Sequence, residues 1–350
     1  MLKYTIKRIL LALLTTFIIL TLTFFLVKAL PPRTVISPDK NVVYAFYCDQ
    51  VSLGYFVESD VPNPNLGTLL KSFEPGEFGA KAHYFYVKPI IEQYFVWIGN
   101  IVTKWDWGRS EYIKPNASAI AIIASRMPPS LSINIITVVI SVPIGIALGI
   151  LAGLKKNTWV DHTLSTVVMI FISVPGFVLI SLLLYGLAFK SGLLPTRWPE
   201  ESASFLIRFE GYIIPVLSLS FGPICGYTRY VRAELCEVMS SEYLLLARTK
   251  GLTRNQAIVR HALRNAFVPI LPMVLSEFLS IFGGSMILEK LYAIPGIGSL
   301  YIEALNQSAP DYSVLMVDMA IFTTFGLLAG VLLDLSYGFI DPRIRMGAKK

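Results

Sequence analysis

One segment of this chain reads Ser241-Glu-Tyr-Leu-Leu-Leu-Ala-Arg-Thr-Lys-Gly-Leu-Thr-Arg-Asn-Gln-Ala-Ile-Val-Arg-His-Ala-Leu-Arg-Asn-Ala266, and it separates two long apolar runs. The segment is basic and consists largely of residues that favour helices. A single glycine, Gly251, interrupts it in the middle. A loop of this size between two apolar runs is typical of a surface that contacts another molecule.

The composition indicates a membrane protein. Apolar residues make up 54% of the 350 and charged residues only 15%, with a mean hydropathy of +0.62, whereas soluble domains carry about 25% charged residues. A helix needs about 20 apolar residues to cross a bilayer. An all-α membrane protein with six transmembrane helices is therefore predicted, with spans in the runs 9–27, 131–154, 163–189, 211–228, 266–288 and 314–333.

The positions of the basic residues predict the orientation of these spans. Lys3, Lys7 and Arg8 precede the first span, and the loop 229–265 is also basic. Because cytoplasmic loops are enriched in Lys and Arg, both termini are predicted to be cytoplasmic. Contact with anionic lipid explains much of the +7 net charge without nucleic acid. The first run is longer than the apolar core of a signal peptide and is interpreted as a retained helix.

Residues 31–116 are predicted to be an extracytoplasmic segment between the first helix (1–30) and a core domain (117–350). They are too aromatic for disorder, so a small folded element is expected. The alternation at 41–47 predicts a strand, and the apolar spacing at 88–100 predicts a helix. That helix either lies against the membrane face or serves packing alone. Trp97, Trp105 and Trp107 fit an interfacial aromatic belt.

Glycines within the spans have two interpretations. Gly145, Gly149 and Gly153 recur at a spacing of four and predict a smooth ridge against another helix. Gly283 and Gly284 are either hinges of a transport pathway or positions of close packing, and packing is favoured.

Three carboxylates fall in or near the last two spans, namely Glu277, Asp318 and Asp334. Charges in a membrane either line a pathway or pair with another group. For Glu277 both interpretations stay open. Asp334 lies near the end of its span, where it reaches water or Arg343. The sequence shows no chain of carboxylates through the membrane, which weakens a proton-coupled mechanism.

The sequence does not indicate an enzyme. It has no Gly-x-x-x-x-Gly-Lys-Ser/Thr phosphate loop, no His-Glu-x-x-His and no Cys-x-x-Cys. Its three histidines are isolated, and its three cysteines are too scattered for a disulfide framework or a metal site. No catalytic, cofactor or metal site is predicted, and any ATP-driven step requires a second protein.

The coupling loop (229–265) is the predicted functional surface. Residues 242–250 are expected to form a short helix, Gly251 to turn the chain where a side chain would clash, and Arg260 and Arg264 to share one face of a second helix. An apolar stretch in a water-facing loop favours docking over a merely solvated loop. The residues predicted to take part are Tyr243, Leu246, Ala247, Arg248, Lys250, Gly251, Leu252, Arg260, His261 and Arg264.

The pattern Tyr243-x-x-x-Ala-Arg-x-Lys-Gly-Leu, followed by Arg260-His-Ala-Leu-Arg-Asn-Ala, resembles the coupling loop of the oligopeptide/dipeptide permeases of ABC importers. The resemblance extends over nearly the whole chain. The other matching motifs are Leu2-x-Tyr-x-x-x-Arg-Ile-Leu, Trp107-Gly-Arg-Ser, Arg126-Met-Pro-Pro-Ser-Leu, Ser173-Val-Pro-Gly-Phe, Gly283-Gly, Glu289, Pro295-Gly-Ile-Gly and Asp341-Pro-Arg-Ile-Arg.

This resemblance implies the type I ABC importer permease fold, with an insertion after the first helix, in the plasma membrane of a prokaryote. It implies half of a translocation pore for peptides, completed by a second permease, two ATPases that bind ATP and Mg, and an extracytoplasmic substrate-binding protein. Leu245-Leu246-Ala247 stand where ABC importers carry Glu-Ala-Ala, so no acidic group there pairs with an ATPase. Residues 31–116 are also longer than in the family and lack its Pro-Gly-Asp-Pro.

Other functions remain as alternatives. The same machinery serves nickel or oligosaccharides in related permeases. A standalone ion- or proton-coupled carrier would be favoured by inverted repeats and midplane carboxylates, and neither is visible in the sequence. A structural or anchoring membrane protein would not need the exposed apolar segment 243–251.

Overall fold

A computed structural model describes residues 2–30, 38–306 and 310–340. Over these residues the chain forms fourteen α-helices: α1 (Leu2–Lys28), α2 (Lys40–Ser52), α3 (Ile90–Lys104), α4 (Ala119–Leu154), α5 (Trp159–Ile172), α6 (Gly176–Leu183), α7 (Phe205–Met239), α8 (Glu242–Thr249), α9 (Arg254–Ala257), α10 (Leu263–Ala266), α11 (Ile270–Ser280), α12 (Met286–Leu291), α13 (Ile297–Ala304) and α14 (Tyr312–Ile340). Three strands accompany them: β1 (Phe56–Ser59), β2 (Leu69–Phe73) and β3 (His83–Val87).

Four described helices are long and apolar enough to cross a membrane, namely α1, α4, α7 and α14. Two further pairs pass the same test together but are bent, by 97° between α5 and the stretch Gly176–Lys190 and by 53° between Arg254–Ala266 and α11. If each bent pair is one span, the total is the six that the sequence predicts.

The bends follow from proline and glycine. Pro175 separates α5 from α6, because the residue before a proline is driven away from the helical conformation. Pro269 similarly precedes α11. The predicted fifth span, 266–288, is wrong in its second half, since α11 ends at Ser280 and a break at Gly283 and Gly284 follows.

The chain divides into two compact units. The large unit contains the described parts of Met1–Leu14, Ile123–Ala309 and Ile321–Lys350, and the small unit contains Thr15–Ile122 and Pro310–Ala320. Helices α1, α4 and α14 contribute residues to both.

The small unit carries an antiparallel sheet in the order β1-β3-β2. The strand predicted at 41–47 is wrong, because these residues belong to α2, which Asp39 begins as an N-cap. The apolar residues that suggested a strand instead contact the core four positions apart, on one face of a helix. Val43 and Tyr47 face the sheet and pack with Phe56, Phe73 and Phe85 of its strands. The segment between α1 and α4 therefore contains both helix and sheet.

The helix predicted at 88–100 is confirmed as α3. Its aromatic side chains pack on α1, with the Phe24 ring 4.9 Å from Trp97 and 5.5 Å from Tyr94. Tyr94 Oη also lies 3.0 Å from Thr21 Oγ1. Trp97 is only 2% exposed, so its assignment to an interfacial belt is wrong, whereas Trp105 is exposed.

Candidate functional site: the coupling loop

The coupling loop is mostly helical and begins later than its sequence boundary. Helix α7 continues through Arg229 to Met239, and only Ser240 and Ser241 separate it from α8. A helix of 35 residues is about 50 Å long at 1.5 Å per residue. It is longer than the roughly 30 Å hydrocarbon core, and its last turn is followed almost directly by α8.

Helix α8 has one buried anchor and several exposed apolar side chains. Ser241 has the extended backbone of an N-cap, with Glu242 in the first turn and Arg248 in the last, as the helix dipole favours. Leu244 is 6% exposed, whereas Tyr243 is 42% and Leu246 is 56% exposed. The predicted helix is thus present, and Tyr243 and Leu246 lie on one face because they are three positions apart.

Two predicted residues beside this face differ in exposure. Lys250 follows the helix and is exposed, and Ala247 is partly buried. Both remain close to the face of Tyr243 and Leu246 by helical spacing. Leu245, at 62% exposed, lies on the opposite side of α8 and lines a cleft of about 210 Å³ with Arg254 and Ile258.

Gly251 ends this helical turn with a positive φ of +93°. A Cβ built on it meets no atom within 4 Å, so the predicted clash with neighbouring atoms is wrong. Glycine is required here because other residues adopt this backbone conformation at an energetic cost. The chain then restarts at Thr253, whose side chain accepts from Gln256 N while the Gln256 side chain accepts from Thr253 N.

A buried cluster holds α8 against the rest of the loop. Its members come from α7, α8 and the helical stretch 254–266, and they are Leu235, Leu244, Ala257, Ile258, Ala262 and Ala266. Leu154 at the end of α4 and the predicted docking residue Leu252 pack against this cluster. The loop therefore has a hydrophobic core of its own, and this core fixes the helix that carries the exposed apolar side chains.

The second arm of the loop is not the regular helix that was predicted. A π-helical segment, Ile258–Ala262, lies between α9 and α10. Arg260, His261 and Arg264 are all exposed. Across the described part of the chain, no carboxylate lies within ion-pair distance of Arg248, Arg260 or Arg264. This part of the loop therefore adds exposed positive charge to the coupling loop.

The glycine ridge that the sequence predicts is confirmed. A Cβ at Gly145 would lie 2.6 Å from Tyr227 Cβ, and one at Gly149 would lie 2.6 Å from Val231 Cβ. Gly153 similarly approaches Leu235. Helices α4 and α7 therefore meet at backbone distance directly above the coupling loop.

An ion pair that sequence reasoning missed joins α5 to α7, with the Asp161 carboxylate buried and the Arg232 side chain partly exposed. Arg232 Nη2 donates to Asp161 Oδ2 at 2.8 Å, and Arg232 Nε donates to Asp161 Oδ1. Asp161 also accepts from Asn157 N at 2.9 Å. Nothing in the sequence links two charges 71 positions apart.

The candidate pathway residues lie apart from the coupling loop. Glu277 is partly buried in α11. Gly284 serves packing, since a Cβ there would be 2.5 Å from Gly298 N. Gly283 contributes its carbonyl oxygen, which accepts from Asn134 Nδ2 at 2.6 Å. Asp334 pairs with Arg8 at 3.0 Å, and its side chain is still 34% exposed; Arg343, the other expected partner, lies outside the described residues.

Glu289 forms a second buried network that sequence reasoning did not assign to a site. Its carboxylate accepts from Ser130 Oγ and from Ser299 N, each at 2.8 Å. A Cβ at Gly296 would lie 2.4 Å from Glu289 Oε2. The Pro295-Gly-Ile-Gly motif is therefore built around this side chain, which ties α12 and α13 to α4.

Comparison with known families adds to this geometry. Residues 145–346 match the binding-protein-dependent transport system inner membrane component. The matched region starts at the glycine ridge and includes the whole coupling loop.

The chain belongs to this family of permeases. It is a multi-pass membrane transport subunit and not an enzyme.

Relatives of the permease match it along its full length. It is 31% identical to the dipeptide transport system permease protein DppB of Bacillus subtilis (strain 168), covering 100% of both chains. It is 30% identical to the oligopeptide transport system permease protein OppB of Haemophilus influenzae, covering 99% of this chain and 100% of the relative. The glutathione transport system permease protein GsiC of Escherichia coli (strain K12) is 29% identical, with 99% of each chain covered.

The fold of the permease is similar to that in inward-facing conformations of the MetNI methionine ABC transporter. The match has a TM-score of 0.50 at 16% identity, covering 63% of this chain and 97% of that chain. This similarity confirms the predicted ABC importer permease fold.

Proposed function

We propose that this permease is the membrane subunit of an ATP-driven ABC importer for dipeptides or oligopeptides, and that α8 docks on a separate ATPase. The geometry of α8 carries the docking proposal. Leu244 is buried and fixes the helix to the rest of the loop, while Tyr243 and Leu246 remain exposed. An exposed apolar surface next to charged side chains is characteristic of a protein-binding site.

The substrate class is supported by the relatives. Full-length similarity to permeases named for dipeptides, oligopeptides and glutathione favours peptides over nickel or oligosaccharides. The complete importer then contains a second permease, two ATPases that hold ATP and Mg, and an extracytoplasmic binding protein. The basic character of the loop supports a cytoplasmic position for the coupling surface and both termini.

The docking proposal is tested with two adjacent leucines. Leu246→Ala removes an apolar side chain from the docking face, whereas Leu245→Ala removes an equally exposed one from the opposite side. Burying a leucine at an interface contributes about 1.5–3 kcal/mol. Leu246→Ala should therefore reduce the amount of ATPase that co-purifies with the tagged permease by about tenfold or more. Leu245→Ala should behave like wild type. Equal recovery with both variants would reject α8 as the docking element.

The assembly and the substrate are tested by purifying the tagged permease from native membranes in mild detergent. We expect a second permease and two ATPases to co-purify, and the complex in liposomes, supplied with the binding protein, to take up labelled dialanine or trialanine only with ATP. Recovery of this chain alone, still able to move solute without ATP, would reject the importer.

A further inference from the structure

Asp161 is a buried carboxylate that accepts hydrogen bonds from α5, from α7 and from the turn before α5. It is 1% exposed and lies in the first turn of α5. Both oxygens are engaged by the Arg232 guanidinium, and Asn157 N and Ser165 Oγ donate to it at 2.9 and 3.4 Å. Four donors from two helices and a turn converge on this one side chain.

The conformation of the turn between α4 and α5 orients the Asn157 N–H toward Asp161. Asn157 has a positive φ of +63°, and Thr158 N bonds Lys155 O at 3.1 Å. The Asn157 N–H therefore points at Asp161, and the hairpin of α4 and α5 closes around the carboxylate.

Arg232 connects this group to the coupling loop. It precedes Leu235 by three positions on α7, so the two side chains lie about one helical turn apart. Leu235 is fully buried and packs in the cluster that contains Leu244 of α8. The last turns of α7 thus hold the ion pair at one end and the docking helix at the other.

A packing role alone would not require this pair. Replacing a buried ion pair by apolar side chains of similar volume is often neutral or stabilising, and here only the Asp161 member is buried, since the Arg232 side chain is 32% exposed. A bidentate guanidinium–carboxylate pair instead restricts the rotation of one helix against the other, because both hydrogen bonds must remain in plane.

We propose that Asp161 and Arg232 are positioning residues that make α5 follow the last turns of α7, so that a displacement of α8 reaches the membrane helices. This role rests on the proposed function, in which an ATPase moves α8. Without the pair, α7 turns or slides against α5, and ATP hydrolysis continues without the matching movement of the spans.

The test measures ATP hydrolysed per trialanine transported by the reconstituted complex of permease, ATPases and binding protein. Asp161→Asn preserves shape but removes the charge, and Arg232→Lys preserves charge but removes the bidentate geometry. We expect Asp161→Asn to assemble normally and to raise this ratio by about tenfold, within the usual range of coupling effects. Arg232→Lys should give a smaller increase in the same direction.

The double variant Asp161→Asn/Arg232→Gln separates positioning from stability. Two amides can hydrogen-bond each other, so the double variant should recover part of the coupling lost in Asp161→Asn, a non-additive result. The control is Arg197→Gln, which removes the exposed ion pair with Glu200 and should leave the ratio unchanged.

Two outcomes overturn the positioning role. One is a wild-type ratio in Asp161→Asn and Arg232→Lys. The other is a loss of uptake that follows the amount of assembled complex while the ratio per complex stays constant, which indicates a purely structural pair. A wild-type complex that shows no ATP-dependent uptake would instead reject the proposed function.

Discussion

Asp311 accepts a hydrogen bond from Ser110 Oγ at 2.6 Å across 201 positions of sequence. The same oxygen accepts from Tyr112 N at 3.1 Å and Ile113 N at 3.2 Å. The other oxygen accepts from Val314 N at 3.2 Å in the first turn of α14. One fully buried carboxylate therefore caps the last membrane helix and secures the loop after the Trp107-Gly-Arg-Ser motif.

Replacing this carboxylate with an amide should destabilise the small unit. In Asp311→Asn, the NH₂ group faces donors that previously met an oxygen, and a buried donor left without an acceptor costs about 1–3 kcal/mol. We expect a lower thermal unfolding midpoint in detergent and faster proteolysis between residues 105 and 118. Asp60→Asn, which alters an exposed pair with Lys81, is the control. Equal behaviour of the two variants would contradict the role of Asp311.

A methyl group on the glycine ridge should separate α4 from α7. In Gly149→Ala the new Cβ would lie 2.6 Å from Val231 Cβ and 2.9 Å from Thr228 O, and such overpacking costs about 1–3 kcal/mol. We expect reduced thermal stability of the purified permease. Gly226→Ala is the matched control, since a Cβ there meets nothing within 4 Å. A Gly149→Ala protein as stable as Gly226→Ala would show that the helices do not meet this closely.

The Glu289 network should be sensitive to a change of one atom. Glu289→Gln places an amide NH₂ against either Ser130 Oγ or Ser299 N, and we expect a loss of about 1–3 kcal/mol in the free energy of unfolding. Glu303→Gln, which weakens the partly exposed pair with Arg126, should cost about 0–1 kcal/mol. Denaturation of both variants in the same detergent compares them directly. A larger loss in Glu303→Gln would contradict this ranking.

The positive φ at Gly251 should be required for uptake. Proline has a φ near −65° and cannot adopt the observed +93°, so Gly251→Pro should abolish uptake while membrane insertion stays intact. Gly251→Ala places a side chain in a left-handed conformation that costs about 1–2 kcal/mol and should reduce uptake. Gly251→Asn should retain more uptake than Gly251→Ala, because asparagine tolerates positive φ better. Normal uptake by Gly251→Pro would reject the role of α8 in coupling.

The coupling loop shows which parts of the site a sequence can predict. The short helix at 242–250 and the exposed face of Tyr243 and Leu246 follow from local periodicity, and the structure contains both. The special role of Gly251 is also visible, although its cause is backbone conformation and not a clash. The π-helical segment before Arg264 was not predicted, because no local pattern distinguishes it from a regular helix.

The amino-acid sequence by itself determined the membrane class, the approximate positions of the spans apart from the second half of the fifth, the glycine ridge and the family, since each depends on composition, spacing or motif along the chain. The tertiary structure alone decided that residues 41–47 form a helix against a sheet, that the fifth span breaks at Gly283, and that Asp161, Glu289, Asp311 and Asp334 have the partners they do. The physical reason is that a buried polar group must be satisfied by whichever donors the fold brings to it. Those donors come from distant parts of the chain, where no local pattern records the pairing.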